Sequence, residues 1–152
     1  MVEGAHDFVC VEVERVRIGG VYGRCGERVH DMERWLEGIC EVVGVGRWVL
    51  FGDWNLHHRA WSLDGRSGRS GRVLKGWMAE RGARLVKGRG NTFKQSREGV
   101  RVTSRIDFAV VGVGAELGPM ETEWGLSDHL AISGVVQVDV SEGVIDERKA
   151  VN

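Results

Sequence analysis

The sequence predicts an α/β fold, a mixed-sheet β-sandwich flanked by helices. Three observations carry this expectation. Strand-like runs outnumber helical ones, the two kinds are interleaved along the chain, and no glycine-rich phosphate loop of the doubly wound nucleotide folds is present. A chain of 152 residues is the size of one domain or a piece of one. Hydrophobic residues at 42%, charged residues at 28% and six Trp are a globular composition, which excludes disordered and fibrous classes. With 23 Gly and one Pro, the turns must draw on Gly, Asn and Asp for their geometry.

The elements follow in order. Phe8 to Val13 and Val16 to Tyr22 are β-branched and aromatic runs separated by Glu14-Arg15, the pattern of two strands joined by a turn. From Glu27 to Val43 the apolar residues Val29, Met32, Leu36, Ile39 and Val43 recur at helical spacing, with Asp31, Glu33, Arg34 and Glu37 on the opposite face. Arg47 to Phe51 is a short apolar run ending at Gly52-Asp53, as expected of a strand buried on both faces that stops at a polar edge. A second helix is expected over Gly71 to Arg81. Strands are expected at Arg84 to Val86, Asn91 to Lys94, Arg105 to Val111, Glu121 to Trp124 and Ala131 to Val138. The segment 141–152 is charged and aperiodic and reads as a frayed tail, leaving 8–140 as the domain.

Composition also limits function. Cys10, Cys25 and Cys40 lack paired metal-ligand spacing, which argues against a disulfide framework or structural zinc. The first residues lack a secretory signal and no run is long enough to span a membrane, so a reducing intracellular location, nuclear or cytoplasmic, is expected. The net charge of −1 hides an asymmetry: between Arg59 and Arg105 stand thirteen Lys and Arg against three acids. Such a stretch suggests a polyanionic partner, although a solvated basic face would read the same way.

Three short clusters concentrate the chemistry. Gly52-Asp53-Trp54-Asn55 places a carboxylate and an amide two residues apart beyond a buried strand, so both can point to one side. Ser104-Arg105-Ile106-Asp107-Phe108 puts a second carboxylate in an apolar strand, where an unpaired charge is expensive and a partner is needed. Ser127-Asp128-His129 supplies an imidazole beside a carboxylate, just before Leu130-Ala131-Ile132. Each cluster alone is a weak signal, because Gly-Asp turns and Asp-His loops are common.

Taken together and in this order, the clusters resemble the endonuclease/exonuclease/phosphatase superfamily, in particular the endonuclease domains of non-LTR retrotransposon proteins. The run Gly52-Asp53-Trp54-Asn55-Leu56-His57-His58-Arg59-Ala60-Trp61 matches that branch, and Asn91-Thr92-Phe93, Arg105-Ile106-Asp107 and Ser127-Asp128-His129 follow in the family's order. Val21-Tyr22, ahead of the amphipathic helix, resembles the family's strand ending in tyrosine. The resemblance covers about Phe8 to Val138 and implies a DNase I-like sandwich, incomplete at the N-terminus. The family's first strands, with an asparagine and the glutamate that is the principal metal ligand, have no counterpart in this sequence.

The resemblance further implies Mg-dependent hydrolysis of phosphodiesters in nucleic acid, with DNA as the favoured substrate. In it Asp53 orients or deprotonates the attacking water, Asn55 hydrogen-bonds the phosphate, His129 stabilises its developing charge and Asp107 holds the His129 ring. Asp128 is implied as a metal residue, and Tyr22, His57, Trp61 and Thr92 as substrate-binding residues. The absent glutamate implies impaired activity. The alternative is a catalytically inactive nucleic-acid-binding or assembly module, or a retroelement remnant without function. Lost sheet neighbours imply self-association or a partner chain covering the exposed sheet. Zinc at His57-His58 is disfavoured, since adjacent residues on a strand face opposite sides and no third ligand has the right spacing.

Overall fold

The fold is taken from a computed structural model, which describes residues 7–24, 28–125 and 127–138. The N-terminal pair of strands, β1 (Asp7–Val13) and β2 (Val16–Tyr22), forms an antiparallel hairpin. Its two-residue turn places Glu14 and Arg15 at φ 45° and 63°, the left-handed geometry that matches the twist of a hairpin. From β2 the chain crosses through α1 (Val29–Val43) to β3 (Arg47–Asp53), which pairs parallel to β2. Helix α1 buries Met32, Trp35, Leu36, Ile39 and Val43 along one stripe, and it ends at Gly44, whose N–H bonds the Cys40 carbonyl at φ 62°.

After an irregular segment, α2 (Arg69–Glu80) buries Leu74, Trp77 and Met78 beside α1. The strands β4 (Arg84–Val86), β5 (Phe93–Arg97), β6 (Val100–Ser104), β7 (Asp107–Val111), β8 (Glu116–Leu117), β9 (Glu121–Trp124), β10 (Leu130–Ser133) and β11 (Val136–Gln137) follow. The main sheet has the order β1-β2-β3-β7-β4, and only its β2–β3 pairing is parallel. Among the described residues, three two-stranded ladders, β5–β6, β9–β10 and β8–β11, and an isolated Phe93–His129 bridge add to this sheet.

One face of the main sheet, through Val21, Trp48, Leu50, Phe108 and Val110, packs on α1 and α2 in a tryptophan-rich core. On the other face Val49 and Val111 pack with Ala115, Val86, Leu117 and Val136. That cover does not extend to β1, where Val9 is 67% and Val11 57% exposed. No helix among the described residues is long and apolar enough to cross a membrane.

The mixed α/β architecture and both helices agree with the sequence. The differences are local. Hairpin β5–β6 extends beyond the expected Asn91–Lys94 strand because Glu98 and Gly99, at φ 48° and 76°, turn the chain back on itself. The run expected as one strand over Ala131 to Val138 breaks at Gly134-Val135 into β10 and β11, which serve different ladders. Arg105 and Ile106 precede β7 rather than belonging to it. Phe51 is 37% exposed, so β3 is not buried on both faces along its whole length. The expected tail 141–152 and the helix start at Glu27 lie outside the described residues.

Candidate functional site

The site lies where β3 ends and β7 begins. Asp53 and Asp107 are direct partners in the antiparallel β3–β7 ladder, so their carboxylates leave the sheet side by side. Gly52 lets the strand reach this point, since at φ 147° a side chain here would collide with the Val21 carbonyl. Beyond it, Asn55 adopts φ 49°, a conformation that Asn tolerates better than most residues. The turn closes on itself: Asn55 N–H donates to Asp53 Oδ1 at 2.9 Å and Asn55 Nδ2 donates to Asp53 Oδ2 at 3.2 Å. Asn55 Nδ2 also donates to the Gly23 carbonyl, and Gly23 N–H donates to the Asp53 carbonyl at 2.7 Å.

His129 arrives from the start of the β9–β10 ladder and spans the two acids. Its Nδ1 lies 3.0 Å from Asp107 Oδ2, within hydrogen-bonding reach, and its Nε2 lies 3.6 Å from Asp53 Oδ2. Phe93 packs against the imidazole, ring centroids 5.0 Å apart. Burial, then the neighbouring Asp107 charge, push the Asp53 carboxyl up to about 6, against the opposing pull of His129 and the Asn55 N–H.

Asp53, Asp107 and His129 form a group whose candidate ligand atoms lie within 4.8 Å of one another. Two part-buried carboxylates that repel one another are a fitting place for a hard divalent cation, which would offset that repulsion with oxygen ligands. The His129 imidazole adds a nitrogen donor to the two carboxylates.

The remaining residues expected from the sequence divide by exposure. Tyr22 stands beside Asp53 in the β2–β3 register and is 49% exposed, open to a ligand. Asp128 is exposed and lies outside the three-residue group. His57 is half-buried, its Nδ1 has no hydrogen-bond partner among the described residues, and burial, then the Arg66 charge, lowers its pKa. Neither it nor His58, whose Nδ1 accepts the Ala60 N–H, joins a metal-ligating group among the described residues.

Trp61 and Thr92 do not fit direct contact with substrate. Trp61 is 1% exposed, stacks near Phe108 and donates its indole N–H to the Leu56 carbonyl. Thr92 is fully buried, with its hydroxyl oxygen accepting the backbone N–H groups of Ile106 and Asp107. Trp54, in the midst of the Gly-Asp-Trp-Asn run, is equally interior and bonds the Phe108 carbonyl.

Sequence reasoning missed Gly23. A side chain there would collide with the Trp54 carbonyl, and the glycine lets its backbone meet both Asp53 and Asn55. Its only signal is its place directly after Tyr22. Beside Asn55 opens a cavity of about 480 Å³ whose described lining residues include Arg24, Arg28, Arg69 and His57 and no carboxylate.

Comparison with known proteins bears on the family and the fold. A family model described as endonuclease-reverse transcriptase matches residues 16–133. The endonuclease domain of TRAS1, a telomere-specific non-LTR retrotransposon, superposes with a TM-score of 0.70 at 18% identity, covering 90% of this chain and 71% of that one. A mannosyl-6-phosphatase from Bacteroides thetaiotaomicron gives 0.53 at 12% identity, over 80% of this chain and 51% of that one. An endonuclease/exonuclease/phosphatase family protein from Leptotrichia buccalis gives 0.54 at 15% identity, over 86% and 53%. The chain thus spans about half the length of the last two. A search of curated protein sequences finds no match. With the family model spanning most of the chain and the Asp53, Asn55, Asp107 and His129 clusters inside the matched region, the chain belongs to the endonuclease-reverse transcriptase family, on the DNase I-like fold of the endonuclease/exonuclease/phosphatase proteins.

Proposed function

We propose that this domain hydrolyses phosphodiester bonds in DNA with the help of Mg. The observation that carries the reading is the convergence of Asp53, Asp107 and His129, which come from three distant parts of the chain. A phosphodiester needs its attacking water oriented and the charge developing on the phosphate offset. Asp53, fixed by Asn55, is placed to accept the proton of that water. Asn55, whose amide hydrogens go to Gly23 and Asp53, shapes the same corner, and His129, held by Asp107, turns Nε2 toward Asp53. A bound Mg would supply Lewis-acid stabilisation of phosphate oxygens. Asp53 would hold it, with Asp107 engaged by His129, and Asp128 and Tyr22 are proposed as outer contacts to metal and substrate.

The cationic cavity beside Asn55 favours a polynucleotide over a sugar phosphate, since Arg28 and Arg69 offer positive charge past the reacting phosphate. TRAS1 and the mannosyl-6-phosphatase bracket these two substrate classes on one fold. Supercoiled plasmid with Mg is expected to be nicked and mannose 6-phosphate left intact. Preferential release of inorganic phosphate from the sugar would overturn the DNA reading.

One observation favours a second reading. The group at the centre contains two aspartates and one histidine and no glutamate among the described residues. Activity of the isolated chain is therefore proposed to be weak, because losing one electrostatic element of such a centre costs on the order of 10² to 10³ in rate. At the limit the domain is a nucleic-acid-binding module. The uncovered apolar strip on β1 is proposed to support self-association, which sedimentation at increasing concentration would reveal and a monomer throughout would refute.

A further inference from the structure

The partners of the His129–Asp107 pair belong to different ladders. Asp107 opens β7 in the main sheet, whereas His129 precedes β10, which pairs with β9. Neither ladder fixes one residue against the other, so something between them must hold the 3.0 Å contact. Thr92 occupies that position. Its hydroxyl oxygen accepts the Ile106 N–H at 3.2 Å and the Asp107 N–H at 3.1 Å. Its carbonyl accepts the Leu130 N–H at 2.7 Å, and its own N–H donates to the Ser104 carbonyl at 2.9 Å.

The neighbours of Thr92 reinforce the junction. Phe93 forms an isolated bridge with His129, and Lys94 N–H donates to the Asp128 carbonyl at 3.0 Å. The Ile106 carbonyl in turn accepts the Trp54 N–H at 2.9 Å, which ties the Asp53 corner to the same node. A single fully buried residue thus bonds the backbone beside Asp107 through its side chain and the backbone beside His129 through its main chain.

We infer that Thr92 is a positioning residue for the reaction, acting by setting the His129 imidazole against the Asp107 carboxylate; this rests on the hydrolytic reading above. The hydroxyl is the specific requirement. Valine has the same branched shape, so packing is kept, but it leaves two buried N–H groups without their acceptor. The chain there must shift to satisfy them, and catalytic geometry tolerates shifts well below 1 Å poorly.

The test compares Thr92→Val with Thr92→Ser, which keeps the hydroxyl. The expectation for Val is a kcat on plasmid DNA lower by roughly 10²-fold with KM changed little, and for Ser a kcat within about threefold of the original. A second readout is independent of turnover: the low-field ring N–H proton NMR resonance of the His129–Asp107 hydrogen bond should persist in Ser and be lost in Val while the remaining amide spectrum stays folded. Wild-type kcat in Val, or equal damage in Ser and Val, overturns the inference. If the unsubstituted chain cleaves nothing, the hydrolytic reading fails, and the resonance alone decides the positioning role. Should Val prevent folding, Thr92→Cys, a weaker acceptor, is expected to weaken the resonance, and its retention at full strength would refute the role.

Discussion

Asp53 and Asp107 stand directly opposite one another on adjacent strands, with the His129 imidazole 3.0 Å from one carboxylate and 3.6 Å from the other. Like charges in this arrangement oppose folding, which means that the site stores instability as well as reactivity.

Asp53 makes that cost measurable. Its carboxyl sits at about 6 in the fold against an ordinary 3.8, so the folded state binds its proton more tightly than the unfolded state does. Stability from this group is present at pH below about 4, is lost as pH rises toward 6, and stays lost above it. Asp53→Asn removes the penalty and should raise unfolding free energy at pH 7.5 by about 1–3 kcal/mol, with a smaller gain at pH 4. Urea denaturation at both pH values checks this, and a variant less stable than the parent at pH 7.5 would contradict it.

Mg should act on the same group in the opposite sense. A cation favours ionised Asp53, so added Mg is expected to raise the melting temperature and to shift the acidic limb of the nicking profile, near pH 6, to lower pH. Calorimetry with and without Mg tests the first effect. An equal Mg-induced shift in Asp53→Asn would place the ion elsewhere.

If Asp107 works by holding His129, removing both should hurt no more than removing the imidazole. His129→Ala is expected to lower nicking by roughly 10²-fold or more, and the double variant with Asp107→Asn to match it. Single-turnover rates on one substrate suffice. Multiplying effects would show that Asp107 acts on its own.

The cationic cavity predicts a binding signature separable from chemistry. Arg28→Gln with Arg69→Gln should weaken DNA binding by a catalytically silent Asp53→Ala chain and reduce the slope of log affinity against log salt by about 2. Fluorescence anisotropy at several salt concentrations measures this, and an unchanged slope would remove these arginines from the interface.

Much of this was legible in the sequence because it is local. The Asp53–Asn55 turn, the α1 stripe and the apolar β7 each write their geometry into neighbouring residues. The meeting of Asp107 with His129 was legible only through family resemblance, since no spacing rule joins residues on separate ladders. What stayed hidden is of a different kind. Trp61 and Thr92 carry residue types that suit a ligand surface, yet their burial depends on Phe108 and Ile106 arriving from elsewhere. Hairpin β5–β6 was missed because β6, Val-Arg-Val-Thr-Ser, alternates over only a few residues and buries none of them, so its Glu98-Gly99 turn is the stronger mark.

The most direct measurement is nicking of supercoiled plasmid with Mg by the unsubstituted chain, Asp53→Ala and His129→Ala, all verified as folded. Slow nicking that depends on Mg and vanishes in both variants is expected. Nicking that survives either substitution, or none by the unsubstituted chain, would contradict a hydrolytic centre built from these side chains.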